Sequence, residues 1–148
     1  MSTLAATYIG LDYGRRKIGM AVGQTLTGTT QGIATIVVTS SGSHFSQIGD
    51  AILEWHAVGI VVGLPLNQNG EETLTSKQAR TFGKQLNKRF DLPVYWINEY
   101  LTSQEANTDL RKTLSAGKAF SKKKQLKRDQ LAAEYILRSY FDSPITRS

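Results

Sequence analysis

Over the first third of the chain, apolar residues come in short runs separated by turns, and the rhythm then changes to a helical one. Tyr8-Ile9-Gly10-Leu11-Asp12 is one apolar run, a turn containing Gly14 follows, and Lys17-Ile18-Gly19-Met20-Ala21-Val22 is the next. This spacing predicts a hairpin, and Gly32-Ile33-Ala34-Thr35-Ile36-Val37-Val38 adds a third strand to give an antiparallel meander. Phe45, Ile48, Ile52 and Trp55 then recur at helical spacing, as do Ala79, Phe82, Leu86 and Phe90. Gly59-Ile60-Val61-Val62-Gly63 lies between these helices as a fully apolar strand, and Pro93-Val94-Tyr95-Trp96-Ile97 is the fifth. Thr102 and Glu105 form a capping-box signature for a helix whose inner face is Ala106, Leu110 and Leu114. Ser115 to Lys124 is small, polar and basic and reads as a mobile loop before a last helix from about Leu126 to Phe141.

Strand and helix alternate after the meander, which implies parallel strands joined by right-handed crossovers with helices covering both faces. Strands one, four and five then run parallel, and their carboxyl ends share one edge. Open α/β sheets place ligands at such an edge. Here it carries Asp12, Gly63-Leu64-Pro65 and Glu99. The expectation is one α/β domain over residues 1–148, a five-stranded mixed sheet flanked by helices.

Composition narrows the chemistry. The 148 residues suffice for one core and not for two lobes around a cleft. There are no cysteines, so disulfides and thiolate metal sites are excluded and a reducing compartment suits the chain. Eighteen Lys+Arg against twelve Asp+Glu give a net charge of +6, which suits a polyanionic partner. No stretch approaches bilayer-spanning length, and Met1 to Thr7 lack the basic start and apolar core of a secretory signal. A soluble cytoplasmic protein with no membrane partner is expected.

Three acids break the apolar pattern. Asp12 and Glu99 end strands, and Asp129 falls inside the helical arc made by Leu126, Ala132, Ala133, Ile136 and Tyr140 at 100° per residue. Each has an ordinary explanation: Asp12 can hold a turn, Asp129 can favour a helix amino end, and Glu99 can be a solvated loop acid. Their convergence on one sheet edge favours a shared role, because a buried carboxylate is costly unless paired, hydrogen-bonded or bound to a cation. Carboxylates without Cys or His nearby prefer Mg²⁺ or Mn²⁺, and two such ions per site suit phosphodiester hydrolysis. His44 and His56, before and at the end of the first helix, are not expected to be ligands.

Lys122, Lys123, Lys124, Lys127 and Arg128 put five cations in seven residues just before Asp129. Such a run usually marks a solvated surface, but beside a phosphate-cleaving centre it fits backbone contact, which brings affinity without base specificity. Arg15, Arg16 and Lys17 supply a second positive rim. Asn67, after Gly63-Leu64-Pro65-Leu66, is a further substrate-binding candidate, and the next helix's amino end is a candidate phosphate seat.

Taken in order, Tyr8 to Gly14, Ile18 to Gly23, Ile60 to Asn67, Glu99 with Leu101-Thr102-Ser103, and Asp129 with Ala132-Ala133 resemble the YqgF family over about Tyr8 to Phe141. The resemblance implies a ribonuclease H-like fold shared with Holliday-junction resolvases. Members are described as candidate nucleases for 5′ maturation of pre-16S ribosomal RNA and, earlier, as candidate junction resolvases acting on branched DNA. By resemblance Asp12, Glu99 and Asp129 are the catalytic and metal-binding acids. Asn98-Glu99-Tyr100 departs from the family's common Asp-Glu-Arg, removing a bidentate phosphate donor, and Arg15 stands where Thr is usual. Two rival classes share the first motif: an actin-like phosphate-binding module, disfavoured by length, and a non-catalytic nucleic-acid or ribosome-assembly module. Neither RNA against DNA nor monomer against homodimer is decided by the sequence, and a ribosomal precursor particle is a candidate partner.

Overall fold

The computed structural model describes residues 6–100 and 118–142. Five strands form one sheet: β1 (Thr7–Asp12), β2 (Lys17–Gln24), β3 (Thr29–Val37), β4 (Gly59–Leu66) and β5 (Val94–Tyr100). Three helices among the described residues flank it: α1 (Ser43–Trp55), α2 (Leu74–Phe90) and α3 (Lys118–Phe141). The strand order is β3-β2-β1-β4-β5. β1, β2 and β3 pair antiparallel, whereas β4 runs parallel to both β1 and β5. The expected meander and the parallel set are both present. The helix expected from Thr102 to Leu114 lies outside the described residues.

Side-chain alternation sorts the sheet into two faces. Ile9, Leu11, Ile18, Met20, Val22, Ile60 and Val62 pack with Phe45 and Ile48 of α1 and with Phe82 and Leu86 of α2. The opposite face is carried by Ala21 and Val61, against Ala133, Ile136, Leu137 and Tyr140 of α3. Most buried members of both clusters are under 5% exposed, so each face is closed by a layer of helix. No helix among the described residues is long and apolar enough to cross a membrane.

Several boundaries differ from expectation. Residues 118–124, the larger part of the expected loop, are helical, so α3 starts well before Leu126. Ala, Lys and Gln are good helix formers, and no Gly or Pro interrupts them; polarity alone misled. β4 continues through Pro65 to Leu66, because β1 has stopped pairing at Val62 and the missing proline N–H meets no strand there. His44 lies within α1, buried between Phe45 and Phe82, and His56 caps the helix in the left-handed region with φ 53°.

α3 sits close to β2 because the strand face beneath it is almost bare. Gly19 lies directly under the Asp129 carbonyl, and a methyl group there would collide with the main chain of the helix. At the sheet's β3 side the contact turns polar. Thr30 Oγ1 donates to Glu134 at 3.2 Å, the Gly32 N–H donates to the same carboxylate at 3.1 Å, and Arg138 Nε donates to Thr30 at 3.0 Å.

Candidate active site

Alternation along β1 puts Tyr8, Gly10 and Asp12 on the α3 face, and along β5 it puts Tyr95, Ile97 and Glu99 there. Asp12 pairs with Gly19 on β2, the glycine over which Asp129 lies. Glu99 pairs with Pro65, and its carboxylate leans over Gly63, where an added Cβ would stand 2.8 Å from Glu99 Oε2. Leu11 pairs with Val62, so Gly63 follows at the end of β1, between the strand of Asp12 and that of Glu99. Two glycines therefore hollow out the floor beneath three acids from β1, β5 and α3.

Electrostatics couples the acids in two pairs, Asp12 with Asp129 and Glu99 with Asp12. Asp12 keeps some surface but is enclosed by protein, and burial pushes its carboxyl up to about 7, with the Asp129 charge adding to the rise. Burial raises Glu99 to about 8, and Asp12 repels its charge in turn. Asp129 is also raised by burial, while Lys17 and Arg128 pull it back down. Neither the Asp12 nor the Glu99 carboxylate has a hydrogen-bonding or ion-pairing partner among the described residues. No three His, Cys, Asp or Glu side chains among the described residues stand close enough to form a finished metal cage.

That combination fits a hard divalent cation. Enclosed carboxylates that repel one another and lack a protein cation are a destabilising arrangement by themselves. An oxygen-bound ion between them would remove the repulsion, and oxygen-only donors suit Mg²⁺ or Mn²⁺. Asp12, Glu99 and Asp129 are the residues that would hold it. Neither histidine competes: His44 is buried in the other layer and His56 ends α1.

The cationic rim is partly assembled. Gly14, Arg15, Arg16, Lys17 and Asp129 line one hollow of about 520 Å³, so the β1–β2 turn brings its three cations to the third acid. Arg15 and Arg16 are exposed, and Lys17 is half-buried. Lys127 is exposed one turn before Leu131, and Arg128 is half-buried beside Asp129. Lys122, Lys123 and Lys124 fall on the helical backbone of α3, about two turns before Asp129, and not on a loop.

Asn67 is engaged within its own turn. Its Oδ1 accepts from the N–H groups of Asn69 and Glu71, both at 2.9 Å, and its Nδ2 donates to Glu71 Oε1 at 3.2 Å. The carboxamide holds the β4–α2 turn and is not turned out toward a phosphate. The amino end of α2 is likewise occupied, since Thr73 and Ser76 cap it reciprocally and Ser76 Oγ donates to the Pro65 carbonyl. Two contributors escaped the sequence reading, the close approach at Gly19 and the Glu134 tie to β3. Recurring small residues at Gly19, Ala21 and Gly23 were the available signal for the first.

Comparison with known proteins bears on the family and the fold. The profile of the family described as "RuvX: Holliday junction resolvase" matches residues 6–143. A protein of Burkholderia ambifaria (strain MC40-6) named "Putative pre-16S rRNA nuclease" is 38% identical over 137 residues, covering 93% of this chain and 89% of the relative. One of the same name from Methylobacillus flagellatus is 37% identical over 134 residues, covering 90% and 89%. Among solved structures, "T. thermophilus RuvC in complex with Holliday junction substrate" superposes with a TM-score of 0.50 at 13% identity, over 92% of this chain and 93% of that one. This last likeness concerns fold and identifies the sheet-and-helix arrangement as ribonuclease H-like. With the profile spanning nearly every residue, the chain belongs to the RuvX family, and its enzymatic class is that of a phosphodiester-cleaving nuclease.

Proposed function

We propose that this chain is a divalent-metal-dependent nuclease domain that processes the 5′ end of pre-16S ribosomal RNA, with Asp12, Glu99 and Asp129 as its catalytic acids. The observation that carries this reading is the enclosed Asp12–Glu99 pair, each acid raised by burial and neither partnered by a described cation. The names of the relatives support the substrate. Mg²⁺ or Mn²⁺, when bound, supplies an activated water and stabilises the leaving oxygen of the phosphodiester.

The chain's own residues do the rest. Asp12 and Glu99 fix the site on strands, and the bare backbone of Gly63 gives the Glu99 carboxylate room to lie over β4 between them. Asp129 closes the donor set from α3. Arg15, Arg16 and Lys17 bind the backbone phosphates entering the hollow at Asp129, and Lys127 and Arg128 extend that grip along α3 with Lys122, Lys123 and Lys124 beyond them. Such contacts read charge and position, so base specificity lies elsewhere. A precursor particle is the setting in which the leader is met.

A second reading, cleavage of branched DNA, is favoured by the family's description as a resolvase. One experiment separates the two. Purified protein is offered a 5′-extended 16S precursor and a four-way DNA junction, each with Mg²⁺, Mn²⁺ or chelator. Metal-dependent cleavage of the precursor, lost in Asp12→Asn and Asp129→Asn, is expected. Cleavage of the junction alone reverses the substrate assignment, and unchanged cleavage by both variants removes the acids from the mechanism. A paired-site resolvase also needs a dimer, which sedimentation during the same assay measures.

A further inference from the structure

A second concavity lies far from the acids. At the opposite end of the strands, Val22 and Gln24 of β2 pair across with Gln31 and Thr29 of β3. All four side chains therefore share the α1 face, and the half-buried ring of Trp55, the last residue of α1, closes a cleft of about 230 Å³ over them. Gln24 is five residues beyond Gly19, roughly 17 Å along the strand at about 3.4 Å per residue. It is also on the other face of the sheet, so this cleft is separate from the acidic hollow.

The lining is chemically selective. It offers an indole wall, an aliphatic floor at Val22, and two carboxamides, with no charged side chain among its residues. Neither the Gln24 nor the Gln31 carboxamide is hydrogen-bonded to another described residue, whereas the Thr29 hydroxyl is paired with Thr27 at 2.7 Å. A phosphate would find no cation here. The volume lies below the roughly 300–1,000 Å³ of sites that enclose whole drug-sized molecules, and suits one flat heterocycle. A carboxamide presents donor and acceptor side by side, the pattern that matches the N6–N7 edge of adenine, and an indole face stacks on any base.

We propose that this cleft is a nucleobase subsite, in which Trp55 stacks on an unpaired base, adenine preferred, while Gln24 and Gln31 bond its edge. That the base belongs to a single-stranded tract of the polynucleotide being processed rests on the nuclease reading above. The tract then wraps the β3 edge of the sheet, from the cationic hollow on one face to the cleft on the other. The phosphate rim reads charge, and this cleft adds a base preference several nucleotides away from the cut.

The test follows tryptophan fluorescence of the full chain in chelator, titrated with adenosine, a short oligoadenylate, or a hexose as control. Saturable quenching by adenosine and tighter quenching by the oligomer are expected. Trp55→Phe should remove the signal, and Gln24→Leu/Gln31→Leu, at two partly or fully exposed positions, should weaken binding by about tenfold with an unchanged melting temperature. No saturable quenching, equal quenching in the double variant, or quenching by the hexose as well overturns the proposal. Precursor cleavage is measured in parallel. Cleavage without quenching removes the cleft alone, and quenching without cleavage of any nucleic acid removes the nuclease reading while the base subsite stands.

Discussion

Replacing Asp12 by Asn should make the metal-free protein more stable while abolishing cleavage. Burial and the Asp129 charge raise the Asp12 carboxyl from 3.8 to about 7, so the folded state holds this proton more tightly than the unfolded chain does. For an acid raised in this way, stability is fully present below the unfolded value and is lost as pH climbs toward the folded one. At about 1.36 kcal/mol per unit, the three-unit rise costs about 4 kcal/mol once Asp12 is ionised at pH 8. At pH 5 the native carboxyl is still protonated, and only about 1.6 kcal/mol of that cost has developed. Asn carries no charge at either pH, and it also relieves the repulsion that Asp12 exerts on Glu99. Denaturant unfolding in chelator should therefore show Asp12→Asn ahead of wild type by about 4 kcal/mol at pH 8 and by less than half of that at pH 5. In a thermal melt this is on the order of 10 °C at the higher pH. Excess Mg²⁺ should narrow the gap by stabilising the wild type alone. A variant no more stable than wild type at pH 8, or one with the same advantage at both pH values, refutes the claim that Asp12 is an uncompensated, enclosed charge.

Other substitutions probe the surrounding frame. Gly63→Ala places a methyl 2.6 Å from Ile136 Cδ1 and 2.8 Å from Glu99 Oε2, both movable side-chain ends. Urea unfolding should therefore register only about 1 kcal/mol, with cleavage down at least tenfold as Glu99 is displaced; full activity would detach Glu99 from the reaction. Gly19→Ala meets the main chain of α3 at Asp129, which cannot yield, so a loss of about 3 kcal/mol or more is expected by the same measurement. Glu134→Ala leaves the Gly32 N–H and Thr30 hydroxyl without their acceptor and should cost about 1–3 kcal/mol, with cleavage per folded molecule unchanged. Lys127→Ala should weaken RNA binding evenly across sequences and lower the slope of log affinity against log salt by about 1, measured by filter binding; an unchanged slope would place Lys127 off the backbone path.

Much of the sheet was legible because its inner strands are apolar on both faces. β4 reads as Gly-Ile-Val-Val-Gly with no polar interruption, and such a run has few alternatives. β3 was harder at its start. Thr29, Thr30 and Gln31 look like a loop, yet this edge strand needs no greasy residues there, since Thr30 meets Glu134 and Arg138 through hydrogen bonds. The same cause hid the beginning of α3, whose lysines and glutamine suit helix and loop alike. The acids were visible as breaks in an oily pattern, and strand parity alone puts Asp12 and Glu99 on one face. Pattern does not reveal spacing. How near Asp129 comes is set by the missing side chain at Gly19, and the engagement of Asn67 with Glu71 is a loop detail that no periodicity encodes.

The proposed trio is completed by a helix that follows every strand in the order of translation. Strands β1 and β5 can align Asp12 with Glu99 as soon as the sheet closes, but the third carboxylate arrives only when α3 settles onto Gly19. Domains emerge from the ribosome amino end first. A half-made copy of this chain thus carries the cationic β1–β2 turn and two of the proposed acids while lacking the third, so under the proposed function it would hold nucleic acid before it could cut it. On the proposed reading, the order of its secondary structure keeps the nascent chain from cutting nucleic acid during its own synthesis.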